Sequence, residues 1–266
     1  MKNHIRRTVS AALLLAASLC LIGPSHADEK PALAVKTKVI EESVTIDRKL
    51  KTYPGLYDNL LAEGRRALKK WSAEATQASK ETPDIFADGR HYAFERAYTL
   101  RSAIQRYVSV VRADYMDGLG AHPNHETNTI LWDTQAKKRI SIRPLFKETA
   151  DNGPTLQLLA QAVRAAVKAE KKARGVLADE DNPQTWLDYI KPSLLKIGAV
   201  ALAPSAEAGK SAGLLFYFSP YAVGSYVEGD YTVFVPWTVF KDTLSADGAT
   251  LFGGERPKGD ADKDSN

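Results

Sequence analysis

Residues 107–146 read YVSVVRADYMDGLGAHPNHETNTILWDTQAKKRISIRPLF. The stretch from Tyr107 to Tyr115 is rich in β-branched residues, as a largely buried strand would be. Ile130-Leu131-Trp132 and Ile140-Ser141-Ile142 flank Asp133-Thr134-Gln135-Ala136-Lys137, which reads as a hairpin loop, and Pro144-Leu145-Phe146 ends the pair. Strands follow one another here with no helical period between them. That is a meander, and it predicts an antiparallel sheet rather than a βαβ alternation.

Upstream, Tyr92, Phe94, Tyr98 and Leu100 share one parity and Glu95, Thr99 and Arg101 the other, which predicts a further strand. Val35 to Lys51 alternates in the same way. Between them, Tyr53-Pro54-Gly55 turns the chain, with Pro54 suited to a first helical position. Tyr57, Leu60, Leu61, Gly64, Leu68, Trp71 and Ala75 then mark one face of a long helix ending near Lys80. Downstream, Asp151-Asn152-Gly153-Pro154 opens a second helix whose apolar stripe runs through Leu156, Leu159, Ala160, Val163 and Val167. Lys168, Lys171, Lys172 and Arg174 suit its C-terminal end, and Gly175 its cap. A short helix is expected after Pro183, strands at Leu194–Val200, Leu214–Phe218 and Tyr231–Val235, and a closing helix at Trp237–Leu244. The fold class is α+β, with antiparallel sheet packed against two long helices. The expected divisions are 28–105, 106–252 and a disordered tail at 253–266, because Gly253 to Asn266 contains no large aliphatic or aromatic side chain.

The N-terminus has the three parts of a secretory leader. Lys2, Arg6 and Arg7 form a basic region, and Ala11 to Ile22 is apolar but too short to span a bilayer. Gly23-Pro24 breaks the segment, and Ser25-His26-Ala27 offers small residues for cleavage after Ala27. The expected product is periplasmic or secreted, with no retained membrane anchor. Cys20, the one cysteine, lies in the apolar run behind Leu19 and leaves with the leader, so the mature chain has no disulfide or thiolate chemistry. Subtracting the leader's three bases turns 36 Lys+Arg against 32 Asp+Glu into 33 against 32. No basic field is left to hold nucleic acid.

Chemistry concentrates in two loops. The first is Tyr115 to Glu126, with Gly118 or Gly120 expected at positive φ. A structural turn, with His122 and Asn124 bonding the backbone, is the leading reading of it. The alternative is a metal or acid–base cluster of His122, His125 and Glu126, although the spacing lacks the helical geometry of a His-Glu-x-x-His zinc site. The second loop carries Tyr221 and Tyr226, expected to be the exposed members of an aromatic group that otherwise fills the core. No Gly-x-Ser-x-Gly element is present, and acidic pairs such as Asp114/Asp117 and Glu228/Asp230 carry no signal beyond their charge.

Gly120-Ala121-His122-Pro123-Asn124, Asp133, Ile140–Ile142 and Leu145-Phe146, with Phe218-Ser219-Pro220-Tyr221, Gly229 and Val235-Pro236, resemble the motifs of a widespread extracytoplasmic domain. That domain, of unknown function, occurs in the ectodomain of the lysozyme-sensing anti-sigma factor RsiV and beside the catalytic domain of the peptidoglycan deacetylase PdaC. The strand and Tyr-Pro helix of Val44 to Lys80 resemble its companion N-terminal domain. The resemblance implies an envelope domain without catalysis of its own. The expected function is therefore a soluble binding module for peptidoglycan, another glycan or a lysozyme-like protein. It would act through His122, Asn124, Tyr221 and Tyr226, with no cofactor. The alternative is a cell-wall hydrolase using His122 with Asp117 or Glu126.

Overall fold

A computed structural model describes residues 30–176 and 186–261. The expected leader and its cleavage point lie outside the described residues. Among the described residues, nine strands form two sheets. The larger holds β1 (Leu33–Lys36), β2 (Ile40–Ile46), β3 (Tyr92–Ile104), β4 (Tyr107–Asp117), β5 (Asn124–Asp133) and β6 (Lys138–Ile140), side by side in that order. The smaller holds β7 (Ala199–Pro204), β8 (Ser211–Phe218) and β9 (Tyr231–Pro236).

The fold is mixed α+β with antiparallel-rich sheets. One pairing departs from the meander: β2 and β3 are parallel, with Val44 opposite Arg96. The reason is the long helix α1 (Pro54–Glu81) between them, which carries the chain back to the starting end of the sheet. Its Leu56, Leu60 and Leu68 pack with Val44, Phe94, Tyr98, Val110 and Trp132 in one core. Gly64 permits the close approach, since a Cβ there would lie 2.9 Å from the Val44 side chain. α2 (Pro154–Ala173) lays Leu156, Leu159, Val163 and Val167 in a second core with Leu214, Phe216, Val233 and Val235 of the smaller sheet. Every residue of β8 is buried, because α2 covers one face and the larger sheet the other. The sheets are stitched where β7 crosses the larger one. Leu202 donates its N–H to Ser109 Oγ at 3.1 Å, and Ser102 Oγ donates to the Leu202 carbonyl at 2.7 Å.

Several expectations need correcting. The division at 105/106 falls in the β3–β4 hairpin, so one sheet runs through it. The expected strand from Val35 to Lys51 is two strands and a 3-10 turn at Arg48–Thr52. The strand expected from Leu194 begins at Ala199, and Leu194–Ile197 form a turn ahead of it. The closing helix is one turn, α3 (Trp237–Phe240), followed by a 3-10 turn and an unforeseen α4 (Ala246–Leu251). The tail expected from Gly253 is tied down as far as residue 261: Asp260 is only 4% exposed and grips Arg101. Residues 262–266 lie outside the described residues.

Glu42 presents a pH effect in the larger sheet. It is 2% exposed against α1, where Ser72 Oγ donates to its Oε1 at 2.5 Å while Oε2 is buried without a partner. Burial raises its pKa above the ordinary 4.5, so the charge it acquires near neutrality opposes folding. Stability from this group is complete below its ordinary pKa and lost as pH rises through the higher, folded one. Glu42→Gln is expected to raise stability by roughly 1 kcal/mol at pH 7.5, with the gain shrinking towards pH 4. Thermal unfolding across that range reads it, and a pH-independent difference would refute the assignment.

Candidate functional site

The first loop begins where β4 ends. Asp117 Oδ1 accepts the Leu119 N–H at 2.8 Å, and Leu119, rather than either glycine expected there, takes the positive φ of +58°. The second loop leaves β8 at Phe218, and Tyr221 also adopts positive φ, at +68°. A bulky residue held in the left-handed region is uncommon and costs free energy, and such residues concentrate at functional sites.

The two loops meet. His122 stacks on Tyr226 with ring centroids 4.1 Å apart at 28°, and Tyr221 lies 6.3 Å from His122 and 5.6 Å from Tyr226. His122 Nδ1 is 2.9 Å from the Pro123 carbonyl, which can only accept, so the neutral ring carries its proton there. That leaves Nε2 bare to accept from the Tyr221 hydroxyl at 3.3 Å. Tyr226 donates its hydroxyl to the same Pro123 carbonyl at 2.8 Å. His122 and Tyr221 are exposed, whereas Tyr226, expected to be exposed, is half-buried beneath His122.

The base of the second loop is held rigidly. Ser225 and Glu228 form a capping box, and Glu228 also accepts from Lys171 Nζ at 2.5 Å and the Tyr231 hydroxyl at 2.7 Å. Burial pushes that carboxyl up, but these donors outweigh it and hold the pKa at about 2. Gly224 is required, because a Cβ would sit 2.4 Å from a Glu228 oxygen.

Asn124 opens β5 opposite Met116, beside the ring cluster. The metal alternative is not assembled. His125 and Glu126 are adjacent on β5 and point to opposite faces of the sheet. His125 packs against Tyr115 at 5.3 Å, and Glu126 accepts from Arg112 at 2.9 Å, while both nitrogens of His122 are engaged as above. Among the described residues no group of three His, Cys, Asp or Glu could hold a metal. Asp114 is locked to Arg96, and Glu228 to Lys171, so neither acidic pair presents two free carboxylates.

Sequence reading missed two features. Tyr115 and His125 form a separate ring pair on the sheet; their T-shaped contact follows from the register, which sets them directly opposite each other. A cleft of about 540 Å3 also opens between β5 and β7, with Thr127, Thr129, Tyr189, Leu195 and Lys196 among its lining residues. Ser219 and Ala222, on either side of Tyr221, line its end. Only spatial closure of elements seventy residues apart produces this cleft, so no local signal announces it.

No helix among the described residues is long and apolar enough to cross a membrane. No curated protein matches the chain. A DUF3298 family protein from Pseudomonas aeruginosa PAO1 superposes with a TM-score of 0.50 at 15% identity, over 81% of this chain and 88% of that one. A DUF3298 member from Bacteroides fragilis NCTC 9343 superposes at 0.51 and 14% identity, over 84% and 97%. The matched sequence segment includes Tyr221 and Tyr226 but not the His122 loop. Residues 145–238 match the family described as Protein of unknown function (DUF3298), and the fold around them is shared with two solved proteins of that family.

Proposed function

We propose that the protein is an exported, noncatalytic recognition module of the RsiV and PdaC type, which binds peptidoglycan glycan on the platform of His122, Tyr221 and Tyr226. The carrying observation is the convergence of these three rings from loops about a hundred residues apart. Two left-handed non-glycine residues support the loops that deliver them. Flat rings with hydroxyl and imidazole edges offer both the apolar face and the hydrogen-bonding rim that a sugar needs. The hydrolase alternative has less support. Asp117 is spent on its own turn and Glu126 on Arg112, and neither is paired with His122.

Purified mature protein is expected to sediment with sacculi, and Tyr221→Ala to weaken that retention about fivefold to tenfold without lowering the melting temperature. Retention of Tyr221→Ala and Tyr226→Ala at the wild-type level would sink the platform. Capture by immobilised lysozyme but not by sacculi would transfer the role to a muramidase-type protein. The native N-terminus is expected at Asp28, which N-terminal sequencing reads directly.

A further inference from the structure

We propose that the cleft between β5 and β7 is a docking groove for an extended peptide, which joins the larger sheet as a strand along the open edge of β5. The inference uses other residues than the ring platform and shares with it only the Thr127–Ser219 bond. β5 pairs with β4 from Asn124 onward, but with β6 only through Leu131, Trp132 and Asp133. Among the described residues, the outer edge of residues 126–130 therefore has no strand beside it. Directions follow from alternation: the Thr134 N–H donates to the Arg106 carbonyl on the β4 side, so the amides of Thr129 and Thr127 point the other way, into the cleft.

Both of those amides already meet an oxygen, and each is a side-chain oxygen rather than the backbone carbonyl of a neighbouring strand. Thr127 N–H donates to Ser219 Oγ at 2.8 Å, and Thr129 N–H to the side chain of its neighbour Asn128 at 2.9 Å. The two side-chain oxygens stand in for partner-strand carbonyls, spaced two residues or about 6.7 Å apart, the repeat of an incoming peptide. Asn128 is exposed and can turn away to admit one. The facing wall leaves large apolar side chains in water: Leu195 is 94% exposed and Tyr189 62%. Both line the cleft and are placed to take the alternate side chains of a bound strand. Exposed Lys196 on the same wall complements a peptide carboxylate. An N-acetylated sugar chain carries its acetamido carbonyls on alternating sides of successive rings and has no backbone donors in register with them, so a peptide is the better fit to paired edge amides.

The probe is a hexapeptide alternating leucine and threonine, acetylated at its amino end and with a free carboxylate. Titrated into the isotope-labelled mature protein, it is expected to shift the Thr127 and Thr129 amides saturably. Thr129→Pro keeps the β4 ladder, since this N–H faces outward, and is expected to weaken binding about tenfold. Asn128→Ala removes the internal competitor and is expected to tighten it severalfold. Should Thr129→Pro fail to fold, Leu195→Asp tests the facing wall without touching the strand and is expected to cost a similar factor. The proposal is overturned if no saturation occurs up to about 1 mM. It is equally overturned if Thr129→Pro and Leu195→Asp both bind as wild type, or if chitotetraose rather than the peptide moves these amides. Sacculus retention and this titration are separate readouts, so one can fail while the other holds.

Discussion

Asp260→Ala is expected to lower the melting temperature by roughly 10 °C, as the loss of about 3–5 kcal/mol from a broken buried ion pair implies. Asp260 accepts a two-pronged grip from Arg101, at 3.0 and 2.6 Å, and a third contact from Arg256 Nε at 2.8 Å. All three side chains are largely buried. Arg101 belongs to β3, so the clamp fastens the C-terminal segment across the larger sheet. Before reaching it, the segment is tied to the smaller sheet. Gly253 donates its N–H to the Ser211 carbonyl, and Trp237 Nε1 donates to the Gly254 carbonyl at 3.0 Å. Ending the chain after Phe252 is expected to cost at least as much as the single substitution. Burial pushes the Asp260 carboxyl up, but the bonds from Arg101 and Arg256 outweigh it and hold the pKa below the ordinary 3.8. Stability from a depressed carboxyl is present above its ordinary pKa and lost as pH falls through the folded one. The gap between wild type and variant is therefore widest near neutrality and closes in acid. Superimposable melts at pH 7 would remove the strap from the account of stability.

This strap shows where composition misleads. Gly253 to Asn266 holds no side chain able to pay for its own ordering by apolar burial, and by that criterion it belongs in solution. What orders 253–261 is backbone hydrogen bonding and one carboxylate between two guanidinium groups. Neither has a period or a composition. The elements that were legible are those in which one face is buried at a regular interval: Leu56 to Ala75 on α1, Leu156 to Val167 on α2, and the alternation through β3 and β4. The parallel pairing of β2 with β3 was not, since a register between strands nearly fifty residues apart depends on how α1 lies against them.

The ring platform was legible in a different way. His122, Tyr221 and Tyr226 stand in turn-forming segments, where a large aromatic has no strand or helix face to fill. That marks the rings but does not bring them together. Their meeting depends on the Thr127 N–H bonding Ser219 Oγ, and on the Tyr226 hydroxyl reaching the Pro123 carbonyl, bonds that join residues about a hundred apart. The cleft needed the same closure. Its polar floor looks like an ordinary edge strand until Leu195 and Tyr189 are seen facing it.

The second large effect is expected at Asp114, which is 4% exposed on β4 directly opposite Arg96 of β3. Arg96 donates from two nitrogens, at 2.6 and 2.5 Å, and Arg112 approaches the same carboxylate at 3.4 Å. Arg112 continues to Glu63 of α1 and Glu126 of β5, each at 2.9 Å, and Glu63 also meets Arg139. Charges alternate along the chain, so removing one link strands its neighbours. Asp114→Ala leaves the nearly buried Arg96 guanidinium without its main counter-charge, and the expected loss is again about 3–5 kcal/mol. The net worth of the pair is a separate quantity, because taking two charges out of water offsets much of their attraction. Arg96→Met combined with Asp114→Leu removes both charges and keeps the volume. It is expected to recover most of the stability that Asp114→Ala loses, with Glu63 still held by Arg112 and Arg139. Chemical denaturation of the three proteins distinguishes the cases. If the double variant is as unstable as the single one, the pair itself stabilises the sheet. If it recovers, the pair chiefly fixes where α1 sits, through Glu63, at little net gain.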